Sequence, residues 1–326
     1  MNKTRLKAIL PISLMIFLIG CKSETQRIIL ADSFGNINNI LVVLDEQNYQ
    51  GELGDSIRSY FTQEVEGLPR SEPEFSLSQV HPENFNELLL KQRNFMHFEK
   101  SEKKGIKVKK DSFAFPQLGI FIYGKDKSDW LAVLDDQQEQ LRQTIKKSEL
   151  KEIVRRFKKS PLSTEKINES IKAEISLPTA YRLAKNDEVI WLRKDIKNGD
   201  LNLLVYEVPL NYFEEEQPQL AEVIALRDSV GAANIPVDEG GTFGTELIYT
   251  PYFYKEEHNN REIFITKGIW EVRNKFLAGP FVNYIIKDND NQRFLVAEGF
   301  VLAPSQEQRN YVFELEAIIR GIKIKQ

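Results

Sequence analysis

One cysteine, Cys21, occurs in the 326 residues, and it constrains the fold more than any other feature of the sequence. No disulfide can staple the chain and no thiolate cluster can bind zinc, so stability must come from buried apolar surface. A chain of this length with 41% hydrophobic residues can supply that burial in one large domain or two packed ones.

The position of the cysteine adds a second constraint. Lys3, Arg5 and Lys7 form a positive start, and Ala8 to Gly20 form an apolar run of 13 residues broken only by Pro11 and Ser13. A spanning helix needs about 20 apolar residues, so the run reads as a signal peptide. It ends in Leu18-Ile19-Gly20-Cys21, which resembles the lipobox of bacterial lipoproteins. That resemblance implies cleavage before Cys21 and acylation of its thiol and amine. Each buried acyl CH₂ contributes about 0.8 kcal/mol, so several chains on one residue hold a folded body at a membrane.

Loss of residues 1–20 removes three positive charges and no negative ones, making a formal charge of −4 more negative still. An acidic body argues against nucleic acid or anionic headgroups as the main partner, although it leaves room for a local basic face. The partners expected are the membrane, through lipidated Cys21, and an envelope protein. Surface-exported lipoproteins often carry an acidic cluster after the cysteine, whereas only Glu24 follows Lys22 here. The expected location is therefore the outer membrane, lipid-anchored, on the periplasmic face.

Apolar periodicity then divides the remainder. The expected fold class is α+β, with mixed or antiparallel sheets and packed helices in two similar α+β halves. The layout is a signal peptide over 1–20, a polar tether over 21–39, an N-terminal half over 40–160 and a C-terminal half over 161–326. Ile40 to Leu44 is a β-branched run of a doubly buried strand, and Leu53, Ile57, Tyr60, Phe61 and Val65 recur at helical spacing. Phe75 to Val80 and Asn94 to Glu99 read as strands, Pro82 to Leu90 as a short helix, and Leu131 to Phe157 as one long helix or two abutting ones. The lysine-rich stretch Lys100 to Lys110 reads as a solvated hairpin or loop. Pro161 and Pro178 bracket the boundary between halves. Beyond it, strands are expected over Leu201 to Tyr206, Ile263 to Thr266, Trp270 to Val272, Phe281 to Ile286 and Phe294 to Leu302, with Asp288 to Asn291 as a hairpin turn. Ser305 and Gln308 form a capping box for a last helix ending at Gly321.

Several local signatures run along this frame: Gly35 to Leu44, Gly51 to Arg58, Arg93-Asn94, Pro116-Gln117, Arg227-Asp228-Ser229, Gly268-Ile269-Trp270, Gly279-Pro280-Phe281, and Gly299-Phe300-Val301 with Pro304. On these the chain resembles a family of uncharacterised Bacteroidota lipoproteins known as a domain of unknown function. The likeness spans nearly the whole mature chain, with departures at Lys267 and at Leu277-Ala278. It implies an envelope lipoprotein and no particular reaction.

Candidate chemistry is sparse. Strand alternation sets Glu298 on one face with Phe294, Val296 and Phe300, where a carboxylate must be paired, protonated or in a pocket. Arg273 is the expected partner, and Glu298 with Arg273 is the one catalytic candidate. Trp270, Gly279, Pro280 and Phe281 either line a groove for a ligand or extended peptide, or serve tight turns and a core. Glu239 to Gly244 is glycine-rich but lacks the Lys-Ser/Thr ending of a phosphate loop. His97 and Glu99 share a strand face without a third ligand, so no metal and no cofactor are expected. No Gly-x-Ser-x-Gly elbow occurs. The leading expectation is a non-enzymatic binding or assembly factor; the alternative is a carboxylate-dependent envelope hydrolase or carbohydrate-active enzyme. A carrier with an enclosed apolar cavity is a third class.

Overall fold

The computed structural model describes residues 30–325, so the expected signal peptide and Cys21 lie outside the described residues. The first half runs β1 (Ala31–Asp32), β2 (Asn39–Val43), α1 (Glu46–Tyr49), α2 (Glu52–Phe61), β3 (Ser76–Val80), β4 (Asn94–Lys100), β5 (Gly105–Lys110), β6 (Ala114–Phe115), β7 (Leu118–Gly124) and α3 (Lys127–Phe157). The second runs α4 (Glu165–Ser170), β8 (Ala173–Glu174), β9 (Arg182–Asn186), β10 (Ile190–Ile196), β11 (Gly199–Pro209), α5 (Leu220–Asn234), β12 (Thr242–Thr245), β13 (Tyr252–His258), β14 (Arg261–Arg273), β15 (Leu277–Asp288), β16 (Arg293–Leu302), α6 (Arg309–Arg320) and β17 (Lys323–Ile324). Helices and sheets are mixed in both, an α+β fold.

The two sheets differ in direction. The first is five-stranded in the order β3-β2-β4-β7-β5, parallel except for β5, which is antiparallel to β7. Its central strands are apolar on both faces, as parallel pairing under cover on both sides requires. Ile40, Val42, Met96 and Ile120 face α2 and α3, while Leu41, Val43, Phe95 and Phe121 face the segment that follows β3. The second sheet is eight-stranded and antiparallel, in the order β12-β14-β15-β16-β11-β10-β9 with β13 also on β14. One face, through Val282, Tyr284, Leu295 and Ala297, meets α6 and the end of α3; the other, through Phe281, Ile285, Phe294 and Val296, meets α5.

One helix joins the halves. α3 is 31 residues long, about 46 Å at 1.5 Å per residue, and its N-cap Asp126 accepts from the amides of Ser128 and Asp129. Trp130, Leu134, Leu141 and Ile145 enter the first core, and Ile153 and Phe157 enter the second. Between these stripes sits Glu149, fully buried, which accepts from Arg93 Nε at 2.8 Å and Asn94 Nδ2 at 2.9 Å.

Four expectations are corrected. The stretch read as a tether up to residue 39 enters the fold from Ala31 onward: β1 pairs with β6, and the amide of Phe34 donates to Lys91 O. Backbone donors that find strand partners are held in place whatever the polarity of their side chains. Residues 82–91 form two short 3₁₀ turns instead of one helix, because the Gln117 side chain captures the carbonyls of Leu90 and Gln92 at 2.7 and 2.9 Å. Half of the lysine-rich stretch is edge strand β5, with Ile106 turned to the core and Lys107 to solvent; lysines on an edge strand discourage pairing with other chains. Finally, α6 is capped from the other half: the Glu72 carboxylate accepts from the amides of Gln308 at 2.7 Å and Arg309 at 2.8 Å.

Candidate functional site

The Glu298 carboxylate faces the side of the second sheet covered by α5, and its partner is Arg227. Glu298 is 2% exposed, Arg227 Nη2 lies 3.0 Å from its Oε1, and Asn283, its cross-strand neighbour, donates to Oε2 at 3.0 Å. Arg227 projects from α5 over the Phe281 ring at 3.7 Å and donates to Thr245 Oγ1 at 2.6 Å. Burial pushes the Glu298 carboxyl above its ordinary value, and the Arg227 charge only partly opposes that. The expected pairing with Arg273 is therefore replaced. Strand parity explains it: Trp270 and Val272 join the core beside Glu298, whereas Arg273 alternates with them and ends on Asp228 at 3.1 Å, about half exposed.

The glycine-aromatic cluster belongs to the same core. Trp270 is 4% exposed, stacks on Phe243 at 5.4 Å and donates to Val301 O at 3.0 Å. Gly279 is required by close approach, since a Cβ there would stand 2.1 Å from Val301 O. Phe281 and Pro280 are buried. These residues wall the Arg227–Glu298 pair instead of lining a groove. The Glu239 to Gly244 stretch is half turn and half strand β12, and the Asp288 to Asn291 turn is held by Asp288 accepting from Asn291 and Arg293. His97 and Glu99 approach at 3.1 Å, and no group of three metal-ligating side chains occurs among the described residues.

A different group of residues meets between the halves. A cleft of ≈ 300 Å³ is lined from the first half by residues including Glu66, Glu74, Arg142 and Lys146, and from the second by residues including Tyr254, Glu256, Lys267, Arg309, Glu316 and Arg320. Its floor is an ion pair, Lys267 Nζ on β14 to Glu316 Oε1 on α6 at 2.7 Å, with the Tyr284 hydroxyl donating to the same oxygen at 3.3 Å. Arg320 continues the chain, donating to Tyr284 Oη at 3.1 Å and to Glu256 Oε2 at 3.2 Å. On the opposite wall Glu74 takes Arg142 at 2.8 Å and Lys146 at 3.2 Å.

The electrostatics here run opposite to those at Glu298. Burial alone would raise the Glu316 carboxyl, but the charges of Lys267, Lys146 and Arg320 outweigh it and hold it at about 2. For Lys267, burial acts downward and Glu316 upward, and the ammonium ends above its ordinary value. Both groups are ionised through the neutral range. Sequence reasoning missed Glu316, Arg320 and Tyr284, and noted Lys267 only as a departure from a pattern. The signal available was two charged residues, Glu316 and Arg320, one helical turn apart at the edge of the last helix's apolar face.

Two family models match consecutive parts of the chain. Residues 33–158 match the family described as "Domain of unknown function (DUF8532)", and residues 160–321 match "Domain of unknown function (DUF4837)". Together the two matches cover most of the chain's length, and the cleft lies between the two matched portions. No curated protein matches in sequence. Among solved structures, the Ran-binding protein Mog1p of Saccharomyces cerevisiae aligns at TM-score 0.32 and 7% identity, over 47% of this chain and 90% of that one. A Bacteroides thetaiotaomicron protein aligns at TM-score 0.22 and 9% identity, over 48% of this chain and 46% of its own. Likeness at this level carries no argument about function.

Proposed function

We propose that this protein is a cell-envelope lipoprotein, held at the outer membrane through lipidated Cys21, and acting as a non-enzymatic binding or assembly factor. Its recognition site is the cleft between the two domains. The observation behind this reading is the charge balance of the cleft, which five acidic and five basic residues line around the Lys267–Glu316 pair. With Glu316 held at about 2, the floor does not exchange protons near neutrality, as general acid–base catalysis would require. A fixed array of both signs instead suits a partner surface or ligand that itself carries both charges. The Leu18 to Cys21 signature supplies the anchor in this reading.

The carboxylate-dependent hydrolase or carbohydrate-active alternative has one observation in its favour, the raised Glu298 carboxyl. Glycosidases set two carboxyl groups roughly 5–10 Å apart across a cleft, whereas Glu298 is 2% exposed. Site-specific photocrosslinking in intact cells separates the readings. Probes replacing Gln63 and Glu64 on the cleft wall should give one reproducible envelope partner that a probe replacing exposed Glu169 does not. Recovery of the free monomer from all three positions overturns the proposal.

A further inference from the structure

At the end of the first half where the described chain begins, a groove of ≈ 370 Å³ runs between the last turns of α3 and the adjoining ends of β5 and β7. Five basic and two acidic residues line it, in a chain whose net charge is −4. Arg93 is neutralised by Glu149, and Arg155 by Glu152. Lys110, Lys147 and Lys151 remain, all exposed. One exposed phenyl ring, Phe115 (48% exposed), lines the groove with them; Phe113 (40%), whose ring lies 6.3 Å from that of Phe95, and Phe34 (37%) are exposed on the adjoining segments. The three rings belong to one construction, because β1 pairs with β6 and the amide of Phe113 donates to the Gln117 side chain that also holds the 90–92 carbonyls.

Chain length fixes what this surface can meet. Nine peptide steps separate Cys21 from Leu30, and an extended chain of that length spans at most about 30 Å. If Cys21 sits in a leaflet, the part of the body held nearest to it is β1 and β6, with the phenyl rings and lysines beside them. Lysines next to aromatic rings match the layering of a phospholipid surface, with phosphates outermost and the apolar boundary beneath.

We propose that this basic, phenyl-edged groove docks against the anionic phospholipid leaflet that holds the acyl chains of Cys21. Lys110, Lys147 and Lys151 face headgroup phosphates, and Phe34, Phe113 and Phe115 reach the glycerol level. Docking orients the body so that the cleft between the domains has a fixed direction relative to the membrane. The inference rests on the lipoprotein reading above, and its test reports on the two separately.

The protein is expressed from its complete sequence, purified from membranes and analysed by mass spectrometry for cleavage before Cys21 and acylation of that residue. It is then reconstituted into vesicles of phosphatidylcholine alone or with about a quarter phosphatidylglycerol, and its lysines are acetylated in a timed footprint. Lys110, Lys147 and Lys151 should react about fivefold more slowly in the anionic vesicles, Lys166 and Lys197 at one rate in both, and about 1 M salt should abolish the difference. The variant Lys147→Glu/Lys151→Glu, both substitutions being on an exposed helix surface, should lose protection at Lys110 while staying vesicle-bound. Equal reactivity in both vesicle types with Cys21 acylated overturns the docking proposal and leaves the anchor standing. An unmodified Cys21 overturns the anchor, and the docking surface falls with it unless the same protein still shows anionic-lipid protection.

Discussion

Glu298 and Glu316 are two buried carboxylates on opposite faces of one antiparallel sheet, and their surroundings set them apart. Glu298 has one cation, Arg227, sandwiched against phenyl rings, and burial lifts its carboxyl above the ordinary value. Glu316 has Lys267, Lys146 and Arg320 around it beside an open cleft, and its carboxyl falls to about 2. The comparison teaches that burial alone does not decide a carboxylate's state; the number of facing cations does. A single ion pair enclosed in apolar side chains is structural, and a multi-charge array at a boundary between domains is where recognition is expected.

The sharpest way to break this contrast is to remove one partner of the enclosed pair. Arg227→Met leaves an uncompensated charge in a dry core and should cost roughly 3–5 kcal/mol in urea unfolding at neutral pH, and adding Glu298→Leu should restore most of it. Glu316→Gln strands Lys267 and should cost on the order of 3 kcal/mol, the size implied by a shift from 4.5 to about 2.

Stability against pH reads the same contrast with opposite signs. Glu316 has a lowered folded value, so its contribution is present above pH 4.5 and is lost as pH falls from 4.5 towards about 2. Glu298 has a raised folded value, so folding is favoured below its unfolded value near 4.5 and that contribution is lost as pH rises through the folded value. Glu316→Gln should therefore flatten the acid limb of a melting-temperature profile. Glu298→Gln should flatten the decline above pH 4.5 and leave the acid limb alone.

Smaller effects test the walls. Gly279→Ala drives a Cβ towards Val301 O and should cost roughly 1–3 kcal/mol, without altering ligand or partner capture at the cleft. Arg273→Ala removes a half-exposed contact with Asp228 and should stay within about 0.5 kcal/mol by thermal unfolding. A loss near that of Arg227→Met would mean that Arg273, and not Arg227, compensates Glu298.

Much of the fold was legible because apolar periodicity is local. Ile40 to Val43, Leu53 to Phe61, Leu131 to Phe157 and Phe294 to Leu302 carry periods of 2 or 3.6, or a continuous apolar run, and fold accordingly. The split of β14 into two expected strands failed because Lys267 and Gly268 interrupt the apolar pattern while the backbone ladder to β15 continues through them. The oddity of Glu298 was also legible, since alternation within one strand puts a carboxylate among aromatics. Its partner was not, because Arg227 lies 71 positions away on a helix.

The sequence by itself determined the α+β class, the positions of most elements and the lack of a second cysteine to pair with Cys21, properties read from composition and from residues near one another in the chain. The tertiary structure decided which charges meet: Glu72 on the end of α6, Arg227 on Glu298, and Lys267 with Lys146 and Arg320 around Glu316. Electrostatic partners act through space at a few ångströms, and neither period nor spacing along the chain encodes which distant residues folding brings to that range.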